Sequence, residues 1–199
     1  MLIPEKTQRV EYTQSNSRFI ATAARADSAE AAKSFIQSIR EEMPGANHHV
    51  YAYVIGHGAS VTEGMSDDGE PAGTSGPPVL AVVRGSGVGD VVVVVTRYFG
   101  GTKLGTGGLV TAYKSAAKEV MESLPTAPKI DWWEAACDAP YADHETIKHA
   151  VADHDGEILS EDFGAEVTMR FRVPAEKRQA FLEDLANRFN GRIPPGLKE

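Results

Sequence analysis

Residues 90–124 read DVVVVVTRYFGGTKLGTGGLVTAYKSAAKEVMESL. Asp90 to Tyr98 contain five consecutive valines, Val91 to Val95. Such a run favours β structure and is too apolar for a face turned to water, so it predicts a central strand buried on both sides. A glycine-rich run, Gly100 to Gly108, opens straight into a helix predicted over Gly107 to Leu124. Leu109, Ala112, Tyr113, Ala116, Ala117, Val120 and Leu124 recur at helical spacing and form a broad apolar face. Lys114, Lys118 and Glu122 turn away from it. A helix laid on such a sheet predicts a two-layer α/β sandwich.

The junction between strand and helix carries the chemistry. Gly100, Gly101, Gly105, Gly107 and Gly108 let the backbone approach a ligand or another segment closely. A helix N-terminus presents free N–H groups and favours a negative guest. Arg97 and Lys103 lie nearby, with Tyr98 and Thr106 in the same stretch and Lys114 further along. The expectation is an anion- or phosphate-binding surface; a tight turn whose glycines serve packing alone is the competing reading. The run is no Walker loop, because Lys103 lies inside it and Leu109 follows Gly108. Gly85, Gly87 and Gly89 lack the spacing of a dinucleotide fingerprint.

Upstream, His48 to Ile55 reads as a strand with Val50, Ala52 and Val54 on one face and His49, Tyr51 and Tyr53 on the other. His48 and His49 point oppositely, which disfavours one shared metal; one of them is expected to hydrogen-bond near the site. Gly56 to Pro78 reads as a long loop, and such loops are usually functional or mobile. It carries Ser66, Asp67, Asp68, Glu70 and Ser75. The carboxylates suit a divalent cation, or backbone N–H groups that fix a tight loop, and one of them suits a pair with Arg97. Calcium is disfavoured because the EF-hand pattern is absent. Pro78 to Arg84 is too short for periodicity to separate helix from strand.

Strands are predicted at Gln8 to Tyr12 and Arg18 to Arg25. A helix capped by Asp27 should then run to Glu42, with Ala31, Phe35 and Ile39 inward. Pro125 to Pro128 marks a boundary, giving domains over 1–128 and 129–199. Beyond it come a strand from Asp131 to Ala139, a helix from Ala142 to Ala152, and strands at Glu157 to Glu161 and Ala165 to Val173. A helix from Pro174 follows, ended by Gly191, and Ile193 enters a last edge strand. That order is ferredoxin-like. The fold class is therefore α+β, two α/β sandwich domains.

The chain has 199 residues and a net charge of −8. Residues 1–130 hold 12 Lys/Arg against 13 Asp/Glu, and residues 131–199 hold 8 against 15. The acidic second part argues against a broad nucleic-acid face there, while a local basic patch in the first part is compatible with its balance. One cysteine, Cys137, excludes an internal disulfide and a cysteine metal cluster. It reads as a core residue, and a reducing compartment is expected. No apolar run reaches membrane-spanning length, and MLIPEKTQRV lacks the apolar region of a secretory signal. The expectation is a cytoplasmic protein without membrane partners.

Four segments carry a family resemblance: SRFIA at residues 17–21, HHVYAYVIG at 48–56, SDDGEPAGTSG at 66–76 and VVVVTRYFGGTKLGTGGLVTAY at 92–113. In this order the chain resembles the YigZ/IMPACT family. The resemblance implies a first domain with the ribosomal-protein-S5 domain-2-like fold and a second like the small α/β domains of elongation factor G. It singles out Arg97, Tyr98, Gly100, Gly101, Gly105, Gly107 and Gly108 together with Asp67, Asp68, Gly69 and Glu70, without catalytic roles. Eukaryotic relatives act in translational control by binding a larger regulator of a protein kinase; their extra regulatory-partner domain is not expected in this sequence. For bacterial relatives it suggests nucleic-acid or ribosome binding.

The leading expectation is an RNA- or ribosome-associated protein. Arg97, Lys103 and Lys114 would meet phosphate, and Tyr98, Phe99 or Tyr51 would stack on bases, with Phe99 favoured as core instead. One alternative is a cation-assisted enzyme on a small phosphorylated or nucleotide substrate, using His48 or His49 with Asp67, Asp68 or Glu70. Another is a regulatory protein-binding module.

Overall fold

A computed structural model describes residues 1–57 and 60–190, and the chain divides into two compact units, Met1–Lys129 and a second beginning at Ile130. Together they make an α+β protein in which each unit combines a sheet with helices. In the first unit, β1 (Leu2–Pro4), β2 (Gln8–Gln14), β3 (Ser17–Arg25) and α1 (Ala29–Glu42) lead to β4 (His48–His57) and β5 (Ser60–Ser66). Then come α2 (Gly76–Gly85), β6 (Val91–Tyr98), α3 (Gly105–Ser123) and β7 (Thr126–Pro128). The five-stranded sheet runs β2-β3-β6-β4-β5, antiparallel throughout, and β1 pairs with β7 apart from it.

Strand β6 sits at the centre, as five valines demand. Val91, Val93 and Val95 pack against α2 and α3, while Val92 and Val94 pack beneath α1. All five have no exposed surface. Burial of each contributes roughly 1.5–3 kcal/mol. The sheet is thus covered on both faces, which corrects the two-layer expectation to three layers. The face of β4 that carries Tyr51 and Tyr53 is among those covered: both rings pack under α1 and Tyr53 is buried.

Other local readings also shift. Ser28, not Asp27, caps α1, its Oγ accepting from Ala31 N at 3.1 Å. The helix consequently buries Ala32 and Ile36 beside Ile39, while Ala31 and Phe35 are only half-buried. The expected long loop contains β5, a largely exposed edge strand without apolar alternation, and it ends where α2 begins. α3 starts at Gly105, two residues before the predicted start.

The second unit contains β8 (Trp132–Ala139), α4 (Tyr141–Asp153), β9 (Glu157–Phe163), β10 (Val167–Pro174) and α5 (Arg178–Arg188). Its antiparallel sheet runs β8-β10-β9. One face supplies Ala135, Cys137, Met169 and Phe171 to a core closed by Ile147 and Val151 of α4 and Phe181 and Leu185 of α5. Burial, and then Asp138, push the Cys137 thiol up to about 11, consistent with an inert core residue. α5 is preceded by a 3₁₀ turn over Ala175–Lys177, so it does not begin at Pro174. The expected stop at Gly191 and edge strand at Ile193 lie outside the described residues. Among the described residues no helix is long and apolar enough to cross a membrane.

Candidate functional site at the β6–α3 junction

The register of β4 and β6 sets His48 opposite Arg97 and His49 opposite Thr96. Alternation therefore sends His48 and Arg97 to the α2/α3 side and His49 to the α1 side. His49 is buried, with Nδ1 3.1 Å from Thr96 Oγ1. Burial first, then Arg40, hold its pKa below the ordinary histidine range, so it is neutral near pH 7.

Arg97 is buried and committed. Its Nη1 donates to Glu70 Oε1 at 2.6 Å, its Nη2 reaches Ser17 Oγ at 3.4 Å, and the guanidinium carbon lies 5.5 Å from the Phe19 ring centroid and 5.6 Å from that of Phe99. Glu70 Oε1 also accepts from Tyr113 Oη at 2.8 Å. Burial, reinforced by Glu70, raises the Tyr113 pKa and keeps its proton in place. This cluster ties the Glu70 loop to β3, β6 and α3. The carboxylate that pairs with Arg97 is thus Glu70, and the pair sits inside the fold rather than across an open surface.

The other two loop carboxylates hold the loop that carries Glu70. Asp67 Oδ1 accepts from Ser75 N at 2.9 Å and Gly76 N at 2.8 Å, and its Oδ2 accepts from Gly73 N at 2.8 Å. Burial raises the Asp67 pKa, but these three backbone bonds outweigh it and the net value lies below the usual range. Asp68 forms an ion pair with Arg40 and accepts from His49 N at 2.6 Å. Its carbonyl faces His48 Nδ1 at 2.8 Å, which makes that nitrogen the donor. Ser66 Oγ accepts from Asp68 N at 3.1 Å, and Ser75 is fully buried beside Thr74. Asp67, Asp68 and Glu70 therefore address three different donor sets. Among the described residues no group of three or more His, Cys, Asp or Glu is placed to hold a metal ion.

Past β6 the chain is pinned from both sides. Ser17 Oγ accepts from Gly100 N at 3.2 Å and Asn47 Oδ1 from Phe99 N at 2.8 Å. A cavity of about 400 Å³ opens here, lined on its polar side by Glu70, Arg97, Lys103 and Thr106 together with Phe99 and Gly105. Pro71, Leu104 and Leu109 complete its apolar wall. No side chain caps α3, and its first turn holds no acidic residue. The amides of Gly105, Thr106 and Gly107 therefore begin the helix without a partner from within it.

Phe99 is 46% exposed, so the expectation of a core residue is corrected: the strand ends at Tyr98 and releases the next ring to the cavity. Tyr98 lies under Arg18, 5.6 Å from its guanidinium carbon to the ring centroid, and does not line the cavity. Tyr51 belongs to the α1 face. Lys114 is exposed nine residues beyond Gly105, about 13 Å along the helix axis, and is not brought to the cavity. Gly107 faces open space, whereas Gly108 packs against Leu104. Residues that the sequence reading missed are Ser17, Asn47 and Arg40, together with the polar role of Tyr113, which its helical spacing had assigned wholly to the core.

Fold and site together define a class: a two-unit α+β protein whose first unit opens a mixed-charge pocket between a buried ion pair and an uncapped helix. Residues 15–121 match the family model described as the Impact N-terminal domain, and residues 137–192 match a domain of unknown function, DUF1949. The chain belongs to the IMPACT family. It is 41% identical over 193 residues to the IMPACT family member YigZ of Escherichia coli K12, covering 96% of this chain and 95% of that one. An IMPACT family member of Haemophilus influenzae is 34% identical over 199 residues, covering 100% and 97%. A crystal structure described as that of a hypothetical protein is similar with a TM-score of 0.70 and 41% identity, covering 99% of this chain and 94% of that one.

Proposed function

We propose that this protein binds RNA, free or in the ribosome, as a cytoplasmic factor in translational control, and that it takes a backbone phosphate at the N-terminus of α3. The observation that carries the reading is the uncapped, glycine-rich first turn opening onto a cavity beside Lys103. The charge that meets phosphate is that of Lys103 and the helix amides; Arg97, already paired, holds the wall in place. Membership of the IMPACT family and the translational role implied for its relatives support the wider assignment. We also assign the first unit to the S5 domain-2-like fold and the second to the ferredoxin-like fold, the latter supported by the β8-β10-β9 strand order.

Fluorescence anisotropy of labelled single-stranded and structured RNA, over a potassium chloride series, tests this. Binding should weaken linearly in log salt, with a slope of about −0.7 per neutralised phosphate on single strands. Lys103→Glu should weaken binding and flatten the slope by about one phosphate. Affinity that is absent or indifferent to salt contradicts the proposal, as does a partner that survives nuclease treatment as a single protein.

A further inference from the structure

One oxygen of a buried carboxylate that lines the cavity accepts no hydrogen bond among the described residues. Glu70 is 8% exposed, and its Oε1 accepts from both Arg97 and Tyr113. Its Oε2 accepts no hydrogen bond among the described residues. The nearest ring nitrogen, His48 Nε2, stands 3.8 Å away, beyond hydrogen-bond reach. Unlike Arg97 Nε, Oε2 is not sealed from solvent, and Glu70 lines the cavity. An ionised carboxylate has about four acceptor positions, so an open one in a walled pocket calls for a donor.

This oxygen also constrains the ligand. A carboxylate repels a second anion, so within this lining phosphate is favoured on Lys103 and the first turn of α3 rather than on Glu70. The occupant must combine an anionic end with an N–H or O–H donor. Phe99 adds a third requirement. Its half-exposed ring lies 5.6 Å from the same guanidinium carbon whose Nη1 is bonded to Glu70, so the ring face and the open oxygen flank one group. A flat ring that carries an N–H on its edge satisfies both.

The geometry points to a single nucleotide unit as the occupant: its base against Phe99, one base-edge N–H on Glu70 Oε2, and its phosphate on the Gly105–Gly107 amides and Lys103. This rests on the phosphate reading above and adds recognition of the base. A cavity of about 400 Å³ is within the range of small-molecule pockets. The unit could be a free mononucleotide or one residue of an RNA strand; the chemistry is shared.

Titration calorimetry of the full chain with the four nucleoside 5′-monophosphates, ribose 5-phosphate and four-nucleotide RNAs separates the cases. At least one monophosphate should bind roughly tenfold more tightly than ribose 5-phosphate, the scale of one base–aromatic contact. Phe99→Ala should bring that ratio towards one. Glu70→Gln, which places an amide where the carboxylate stood, should lower it or change which base is preferred. Because Glu70 also anchors the fold, its variant is judged only with an unchanged melting curve, and the Phe99 variant decides if it unfolds. Four-nucleotide RNA binding more tightly than any monophosphate supports the inference and identifies RNA as the source; monophosphates binding as tightly identify the free nucleotide. Ribose 5-phosphate binding as well as every nucleotide overturns base recognition and leaves the phosphate reading standing. No binding by any of these compounds overturns both.

Discussion

Glu70 and Arg97 are worth most to this protein as a pair. Removing the guanidinium leaves a carboxylate buried with only a phenol to satisfy it, so Arg97→Ala should cost about 3–5 kcal/mol in urea denaturation. Tyr113→Phe removes one hydrogen bond to a charged acceptor and should cost about 1.5–3 kcal/mol. Asp67 gives a pH-dependent counterpart. Its folded pKa is depressed, so the folded state binds fewer protons than the unfolded one. Its stabilisation is complete above the unfolded value of about 3.9 and fades as pH falls through the folded value. Asp67→Asn should therefore lose most at pH 7 and approach the parent only once the pH has fallen below the depressed folded pKa, as denaturation curves at several pH values would show. The sequence made these residues visible as a group, because acids among glycines and prolines stand out. It did not show which acid meets Arg97, since that depends on a fold between segments 27 residues apart. Nor did it reveal Phe99 as exposed, because an aromatic after an apolar strand reads as core until the strand's end is known.

At the scale of elements, the β6–α3 junction separates glycines that the fold requires from one that it does not. A Cβ on Gly100 would lie 2.0 Å from the Asn16 carbonyl carbon and oxygen, a backbone contact with nowhere to yield. Gly100→Ala should thus be among the most destabilising changes at the junction. A Cβ on Gly107 meets nothing within 4 Å, and its φ is not positive. Gly107→Ala should leave thermal stability unchanged or raise it by up to about 1 kcal/mol. If it also weakens RNA binding, the glycine serves the ligand and not the turn. β6 and α3 were legible because valine runs and 3.6-residue periodicity are strong local signals. β5 was not, because an exposed edge strand has no buried face to impose alternation. The position of α1 was equally hidden: nothing in Tyr51 or Tyr53 alone says that a helix will cover them.

Across the whole molecule, two compact units and two charge balances divide the labour. Residues 1–130 are nearly neutral and carry the pocket, while residues 131–199 hold a net excess of seven acids. That asymmetry could be read directly, as could the order of the described elements of the second unit, β8 to α5; the layer count of the first unit could not. The RNA reading requires the first turn of α3 to receive phosphate. The most direct test is amide NMR of the ¹⁵N-labelled full chain during titration with a short single-stranded RNA. The amides of Gly105, Thr106 and Gly107 should shift first and saturably, and Lys103→Glu should weaken that response. Shifts confined to other surfaces, with those three amides unmoved at saturation, would contradict it.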